Sequence, residues 1–218
     1  MEKMSARKNQ TSFRLVSWNL AGLAEDSMEP FLACTSLTMR WDVLLLQETF
    51  RKLEGLETEG CQIFTPGNLP GRAHGGWRCP AIILKSRICE ECVLLGSGDR
   101  WVAIKMQTSN RVLISAHLPT IKAPLEDFNV PLHEIESLIR KFPDHEVILG
   151  VDANTKVFSF EDGWHVGPCT KPAKLTSKEK ERFSEFLTRT GLVLANTWGR
   201  AFLNTSTRTE THRLILSL

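Results

Sequence analysis

The sequence predicts an α/β (α+β) protein in which mixed sheets pack on each other with helices outside, and three features carry that prediction. Short apolar runs recur along the chain, at 15–18, 43–47, 112–116 and 147–151, each ending abruptly in a polar residue, as buried strands do. Stretches with apolar residues at helical spacing lie between some of these runs. The segment from Ala81 to Ala116, however, reads as strands in succession with no helix between them, so a clean strand-helix repeat around one parallel sheet is excluded.

Taken in order, residues 1–12 are polar and of mixed charge, without an apolar signal core, and read as a disordered lead-in. Residues 13–218 then read as a single domain. Leu15 to Trp18 is the first strand and leads into Asn19. A helix is expected over Met28 to Thr38, with Ser27 as its N-cap and Pro30 in its first turn. Val43 to Gln47 is the second strand and leads into Glu48. The stretch from Thr65 to Pro80 contains Gly67, Gly71, Gly75 and Gly76 with Pro66 and Pro70, so it is expected to be an irregular surface loop. Ala81 to Leu84, Trp101 to Met106 and Val112 to Ala116 follow as strands, the last reaching His117. Leu132, Ile135, Leu138, Ile139 and Phe142 share one face of a helix expected over Pro131 to Phe142. Val147 to Val151 is a strand entering Asp152-Ala153-Asn154. The last helix has Thr176 and Glu179 as a capping box, a stripe of Phe183, Phe186 and Leu187, and Gly191 as its stop.

Composition narrows the class. With 42% hydrophobic and 24% charged residues in 218, the chain can bury one sizeable core. Its apolar runs are far below the roughly 20 residues that span a bilayer, so no membrane partner is expected. A net charge of +2 is too mild to announce a nucleic-acid binder or to exclude one. The basic stretch Lys171 to Arg182 contains Glu179 and Glu181 and reads as a solvated helix face. Six scattered cysteines without an export signal are expected to be reduced thiols, which places the chain inside the cell, in nucleus or cytoplasm. Cys89 and Cys92 have C-x-x-C spacing, but no second ligand pair accompanies them, so they read as plain loop or strand cysteines.

If the four runs lie side by side with matching ends, Asn19, Glu48, His117, Asp152 and Asn154 gather at one rim. Singly, each has a plainer role as a strand end, turn former or cap. Together they supply hard oxygen ligands, a carboxylate able to act as a base and an imidazole, the residue types that Mg²⁺ or Mn²⁺ phosphoryl chemistry uses. In an extended segment Asp152 and Asn154 would both face the pocket, with Ala153 turned into the wall.

The residues Val16-Ser17-Trp18-Asn19, Asp42 to Thr49 ending in Leu46-Gln47-Glu48-Thr49, Gly75-Gly76 leading to Ala81 to Ser86, Ser115-Ala116-His117-Leu118-Pro119, and Leu149-Gly150-Val151-Asp152-Ala153-Asn154 form an ordered set. That set resembles the endonuclease/exonuclease/phosphatase superfamily, which includes deoxyribonuclease I, abasic-site and retrotransposon endonucleases, deadenylases and sphingomyelinases. The resemblance covers about residues 13 to 198. It implies a four-layered α/β sandwich of two mixed sheets face to face with outer helices, and Mg²⁺-dependent cleavage of phosphate esters. By position, Glu48 with Asn19 would hold the metal, Asp152 would orient or activate the attacking water, and Asn154 would contact the phosphate. His117 falls where members carry a tyrosine or histidine against the scissile phosphate. The chain has no tyrosine, which puts it on the histidine side, closer to deoxyribonuclease I.

Two further family motifs have no counterpart, an aspartate in a strand like I-D-Y-I and a terminal Ser-Asp-His, since no aspartate follows Asp162. The asparagine expected between the Asp152 motif and the last helix is missing from Val166 to Ser177 as well. The domain is therefore expected to be C-terminally incomplete, with the last strand or strands missing, an exposed edge, and weakened or absent activity. The functional expectation is a monomeric metal-dependent phosphodiesterase acting on nucleic acid, DNA rather than RNA, of retrotransposon-endonuclease type. Two alternatives stand beside it: a non-catalytic nucleic-acid- or phosphate-binding remnant, and a lipid or small-molecule phosphatase on the same fold. The loop with Arg72, His74, Trp77 and Arg78 would discriminate among substrates.

Overall fold

Parallel pairing of β1 (Leu15–Leu23) with β2 (Val43–Thr49) begins a four-stranded mixed sheet, in which β2 also pairs antiparallel with β4 (Cys79–Lys85), and β4 with β3 (Cys61–Phe64). A second sheet of six strands has the order β5 (Cys92–Gly98), β6 (Trp101–Met106), β7 (Arg111–His117), β8 (Glu146–Asp152), β10 (Arg213–Ser217) and β9 (Val193–Leu194). These elements belong to a computed structural model that describes residues 13–23, 27–49, 60–66, 79–89, 92–107, 109–120, 122–155, 178–194 and 213–217. Most of the Thr65 to Pro80 loop, the lead-in and the Thr176 capping position lie outside the described residues.

Side chains alternate between the two faces of each strand, and this sorts the apolar runs into three cores. Val43 and Leu45 of β2 and Ile82 and Leu84 of β4 meet Val102, Ile104, Leu113 and Ile148 of the second sheet, so the two sheets lie face to face. On the outer side Leu44, Leu46, Ala81 and Ile83 receive Met28 and Leu32 of helix α1 (Met28–Thr38) and Trp41. The outer face of the second sheet, Val112, Ile114, Ala116, Val147, Leu149 and Val151, is covered by α3 (Leu125–Arg140) and α4 (Lys178–Thr190), through Phe128, Leu132, Ile135, Phe183 and Phe186 among others. The result is a four-layered sandwich. Strands covered on both faces must be apolar at every position, which is why these runs are continuous rather than alternating.

Several boundaries differ from the sequence reading. Helix α3 starts at Leu125, not Pro131, and carries Pro131 inside it. The proline removes one helix hydrogen bond, but burial of Phe128 and Leu132 on the second sheet and acidic Glu126 and Asp127 in the first turn favour the earlier start. Between residues 79 and 117 there are four strands rather than three: β5 was not anticipated, because Val93 and Leu94 are exposed on an edge strand with no buried face to impose a pattern. A single turn, α2 (Ser86–Cys89), separates β4 from β5. Short β3 and two-residue β9 were also missed. Ser27 does precede α1, yet with helical backbone angles and no side-chain cap bond. No strand was assigned to 213–217, but β10 pairs in parallel with β8, Arg213 to Ser217 against Val147 to Val151, so β8 has a neighbour on either side. No helix among the described residues is long and apolar enough to cross a membrane.

Candidate active site

The rim belongs to two sheets rather than one. Asn19, Gln47, His117 and Asp152 all follow the inward-facing alternation of β1, β2, β7 and β8, and these strands end together on one side of the sandwich. Small residues let the sheets approach there. A Cβ on Gly150 would lie 2.7 Å from Leu45 Cβ and 2.8 Å from Ser17 Oγ, so only glycine fits the contact. Just below the rim, Gln47 Nε2 lies within hydrogen-bond distance of Ser17 Oγ at 3.3 Å, Leu45 O at 3.1 Å and Ser115 Oγ at 3.2 Å. The Ser115 hydroxyl in turn donates to Leu46 O at 2.7 Å. This buried polar tie across the sheets was missed from sequence, although a glutamine and a serine in otherwise apolar runs were the signal.

Glu48 reaches the rim by a different route. Alternation would send it outward with Leu44 and Leu46, towards α1. Instead its φ is +54°, a left-handed conformation unfavourable for a non-glycine residue, and the β2 to β4 register breaks between Leu46 and Thr49. The bulge turns the carboxylate over the end of the sandwich. Backbone strain of this kind persists where surrounding structure holds it, and costs about 1–3 kcal/mol.

Asn19 connects the carboxylates. Its Nδ2 donates to Asp152 Oδ2 at 2.5 Å and to Glu48 Oε1 at 3.3 Å, while its Oδ1 accepts from the backbone N–H of Ala21 at 2.8 Å. That backbone bond holds the amide with its donor towards the carboxylates, so Asn19 acts here as their bridge. The β1 to β2 register breaks immediately after it, with Ala21 and Gly22 at positive φ.

His117 is fully buried, with Nε2 at 3.1 Å from Glu48 Oε1 and 3.7 Å from Asp152 Oδ2. The same nitrogen is 3.0 Å from Asn154 Nδ2. The two contacts compete for one ring nitrogen: carrying a proton, Nε2 donates to Glu48; without it, Nε2 accepts from Asn154. Asn154 also donates from Nδ2 to Leu118 O at 2.7 Å, and its backbone N–H donates to Asp152 Oδ1 at 2.9 Å. Asn154 and Asp152 thus face the same site, but through a turn with Asn154 φ of +47°, not through the extended segment expected. Ala153 is buried in the wall as expected.

Glu48, His117 and Asp152 present ligand atoms within 4.8 Å of one another. Carboxylate oxygens with amide neighbours are hard donors, and the half-buried position of Glu48 and Asp152 leaves them a solvent side, so this set could hold a divalent cation. The single nitrogen ligand does not make the thiolate- or histidine-rich set that zinc favours. Strand β10, Arg213-Leu214-Ile215-Leu216-Ser217, ends beside β8 on the same side and brings no carboxylate to the rim.

No protein-family model and no curated protein sequence matches this chain. Solved structures do. The endonuclease domain of TRAS1, a telomere-specific non-LTR retrotransposon, aligns at 18% identity and a TM-score of 0.58 over 83% of this chain and 71% of its own. The 3′ phosphatase NExo from Neisseria, bound to product DNA hairpin, aligns at 13% identity and a TM-score of 0.54 over 82% and 71%. The 3′-5′ exonuclease NExo from Neisseria meningitidis gives 15% identity and a TM-score of 0.52 over 80% and 70%. With two mixed sheets face to face, helices outside both, and strand ends meeting at one rim, the chain has the fold of the endonuclease/exonuclease/phosphatase superfamily.

Proposed function

We propose that this chain is a divalent-metal-dependent hydrolase of phosphate esters, with nucleic acid, and DNA in particular, as its substrate class. One observation carries the reading: carboxylates from opposite sheets, Glu48 and Asp152, are held by a single amide beside a buried histidine. Structures sharing the fold include an endonuclease domain, a 3′-5′ exonuclease and a 3′ phosphatase, which supports the phosphate-ester class.

In this reading Glu48 holds the metal with Asp152 near it, and the ion, Mg²⁺ or Mn²⁺, supplies charge neutralisation to phosphate oxygens. Asp152, with one oxygen fixed by Asn19 and the other by the Asn154 N–H, accepts a hydrogen bond from water and orients it. His117 donates from Nε2 to a phosphate oxygen where charge develops, and Asn154 adds its amide hydrogen on the same side. Burial of His117 keeps those donors preorganised. Without a carboxylate on β10, no further group of that kind supports Asp152 from this strand, and slow turnover is the expected result.

Cleavage of supercoiled plasmid tests this reading, with Mg²⁺ or Mn²⁺ and with chelator, comparing the wild-type chain with Glu48→Gln. Nicking that needs metal and is lost in a folded Glu48→Gln variant is expected. Nicking that persists with chelator or in the variant sinks the assignment. A folded wild-type chain that binds plasmid in a metal-dependent way without nicking it would favour the non-catalytic binding reading, for which the lack of a carboxylate in β10 is the observation.

A further inference from the structure

A second concavity lies at the opposite end of the first sheet. It is an open cavity of about 700 Å³, lined by Phe13 and Arg14 before β1, Arg40 before β2, Asp42, Lys85 at the end of β4 and Arg87 in α2. Asp42 immediately precedes β2, whose second-last residue is Glu48, and six extended residues at ~3.3 Å each put about 20 Å between this cavity and the rim. Four cationic side chains thus surround one carboxylate, in a chain whose net charge is only +2.

The carboxylate is already engaged. Asp42 is buried, accepts the backbone N–H of Arg14 at 2.7 Å and pairs with Arg87. Burial works against its ionisation, but Arg87, the Arg14 N–H and the nearby Lys85 outweigh this and hold the carboxyl below the usual range. Among the described residues, then, one positive charge is neutralised and three remain. Among the described residues no carboxylate pairs with Arg14, Arg40 or Lys85. The Lys85 ammonium is fixed 4.7 Å from the centroid of the buried Trp41 ring, on the cavity wall. Arg40 stands at a left-handed φ of +47°, a conformation an arginine adopts at a steric cost.

We propose that this cavity is a phosphate-binding site, separate from the rim, which takes a phosphate or diphosphate group between Arg14, Arg40 and Lys85. Guanidinium forks bind phosphate oxygens in pairs, and an ammonium adds a point charge, so two arginines with one lysine match a tetrahedral oxyanion. A concave site concentrates the positive field that an exposed arginine alone would lose to solvent. The group can belong to a free diphosphate compound or to a nucleic-acid strand crossing the molecule. This inference does not depend on the catalytic reading of the rim.

Isothermal titration of the full chain with inorganic pyrophosphate, in chelator so that no divalent metal bridges it to the rim, tests the site. Arg14→Gln with Arg40→Gln removes two exposed side chains and leaves the Asp42 to Arg87 pair and the Lys85 to Trp41 contact intact. The expected result is saturable binding that weakens at least tenfold in this double variant and in Arg40→Glu. Binding should be unchanged in Asn154→Gly, which alters the rim while tolerating its left-handed turn. No saturable binding in the wild-type chain, or binding indifferent to the arginine changes, overturns the proposal; so does loss in Asn154→Gly alone. An oligothymidylate that displaces pyrophosphate supports the proposal with a nucleic-acid strand as the source of the phosphate. Its failure to compete, with pyrophosphate bound, supports the proposal with a free diphosphate compound as the source.

Discussion

Gly150→Ala would place a methyl group into the tightest contact between the two sheets. Its Cβ would stand 2.7 Å from Leu45 Cβ, 2.8 Å from Leu45 Cδ1 and 2.8 Å from Ser17 Oγ, each well inside normal van der Waals separation. None of these atoms can move away cheaply, because Leu45 is fully buried between sheets and Leu45 Cβ is tied directly to the strand. Overpacking of this kind costs about 1–3 kcal/mol. At about 2–4 °C per kcal/mol for a domain of this size, the melting temperature should fall by about 2–12 °C. The site should feel the same change, since Gly150 lies two residues before Asp152 and Leu45 three before Glu48, and a wider gap between sheets weakens the Asn19 bridge between their carboxylates. Thermal and urea unfolding of four proteins would measure it: wild type, Gly150→Ala, Leu45→Ala and the double variant. Leu45→Ala alone should cost about 2–5 kcal/mol. It also removes Leu45 Cδ1, one of the three atoms the new methyl would meet, while Leu45 Cβ and Ser17 Oγ remain, so the two changes should be partly non-additive, the double variant being more stable than the sum predicts by at least about 0.5 kcal/mol. Strict additivity, or an alanine variant as stable as wild type, would refute the close approach on which the geometry of the rim depends.

Asn19→Ala removes the donor shared by Glu48 and Asp152 and leaves their oxygens facing each other across the rim. Mn²⁺ affinity measured by calorimetry should drop about 10- to 100-fold, the usual cost of losing a group that orients metal ligands, and unchanged affinity would remove Asn19 from that role. Asp42 has a folded pKa below the ordinary value of 3.8, so it binds a proton more readily unfolded than folded. Its contribution is present above that ordinary value and is lost as pH falls through the folded pKa. Asp42→Asn should therefore lower the melting temperature near neutral pH and flatten the acid limb of a stability profile below about pH 4; an acid limb as steep as wild type would show that the carboxylate is not held ionised.

The apolar runs made the two sheets legible, because strands covered on both faces must be apolar throughout and such runs stand out without help from context. The same runs pointed to Asn19, His117 and Asp152, whose inward parity follows from counting back along β1, β7 and β8 to core residues. Strand β5 could not be read in this way, since its exposed Val93 and Leu94 carry no buried face. The start of α3 was hidden by Pro131, whose unfavourable local preference is overridden by packing of Phe128 and Leu132 on the sheet. Strand β10 was hidden because residues 213–217 gain their partners from β8 and β9, which lie far back in the sequence.

By itself, then, the sequence determined the layered architecture and which polar residues stand at strand ends, because burial on two faces leaves a local signature. Only the tertiary structure decided how those residues meet. Parity sends Glu48 to the helix side, and a bulge with φ of +54° brings it back; a left-handed turn at Asn154, not an extended chain, aims its amide at His117. The gathering of cations around Asp42 likewise joins segments from before β1, before β2 and after β4 that no spacing relates. Left-handed turns, register breaks and contacts between distant strands are settled by packing across sheets, and packing is a property of the folded chain rather than of any window of its residues.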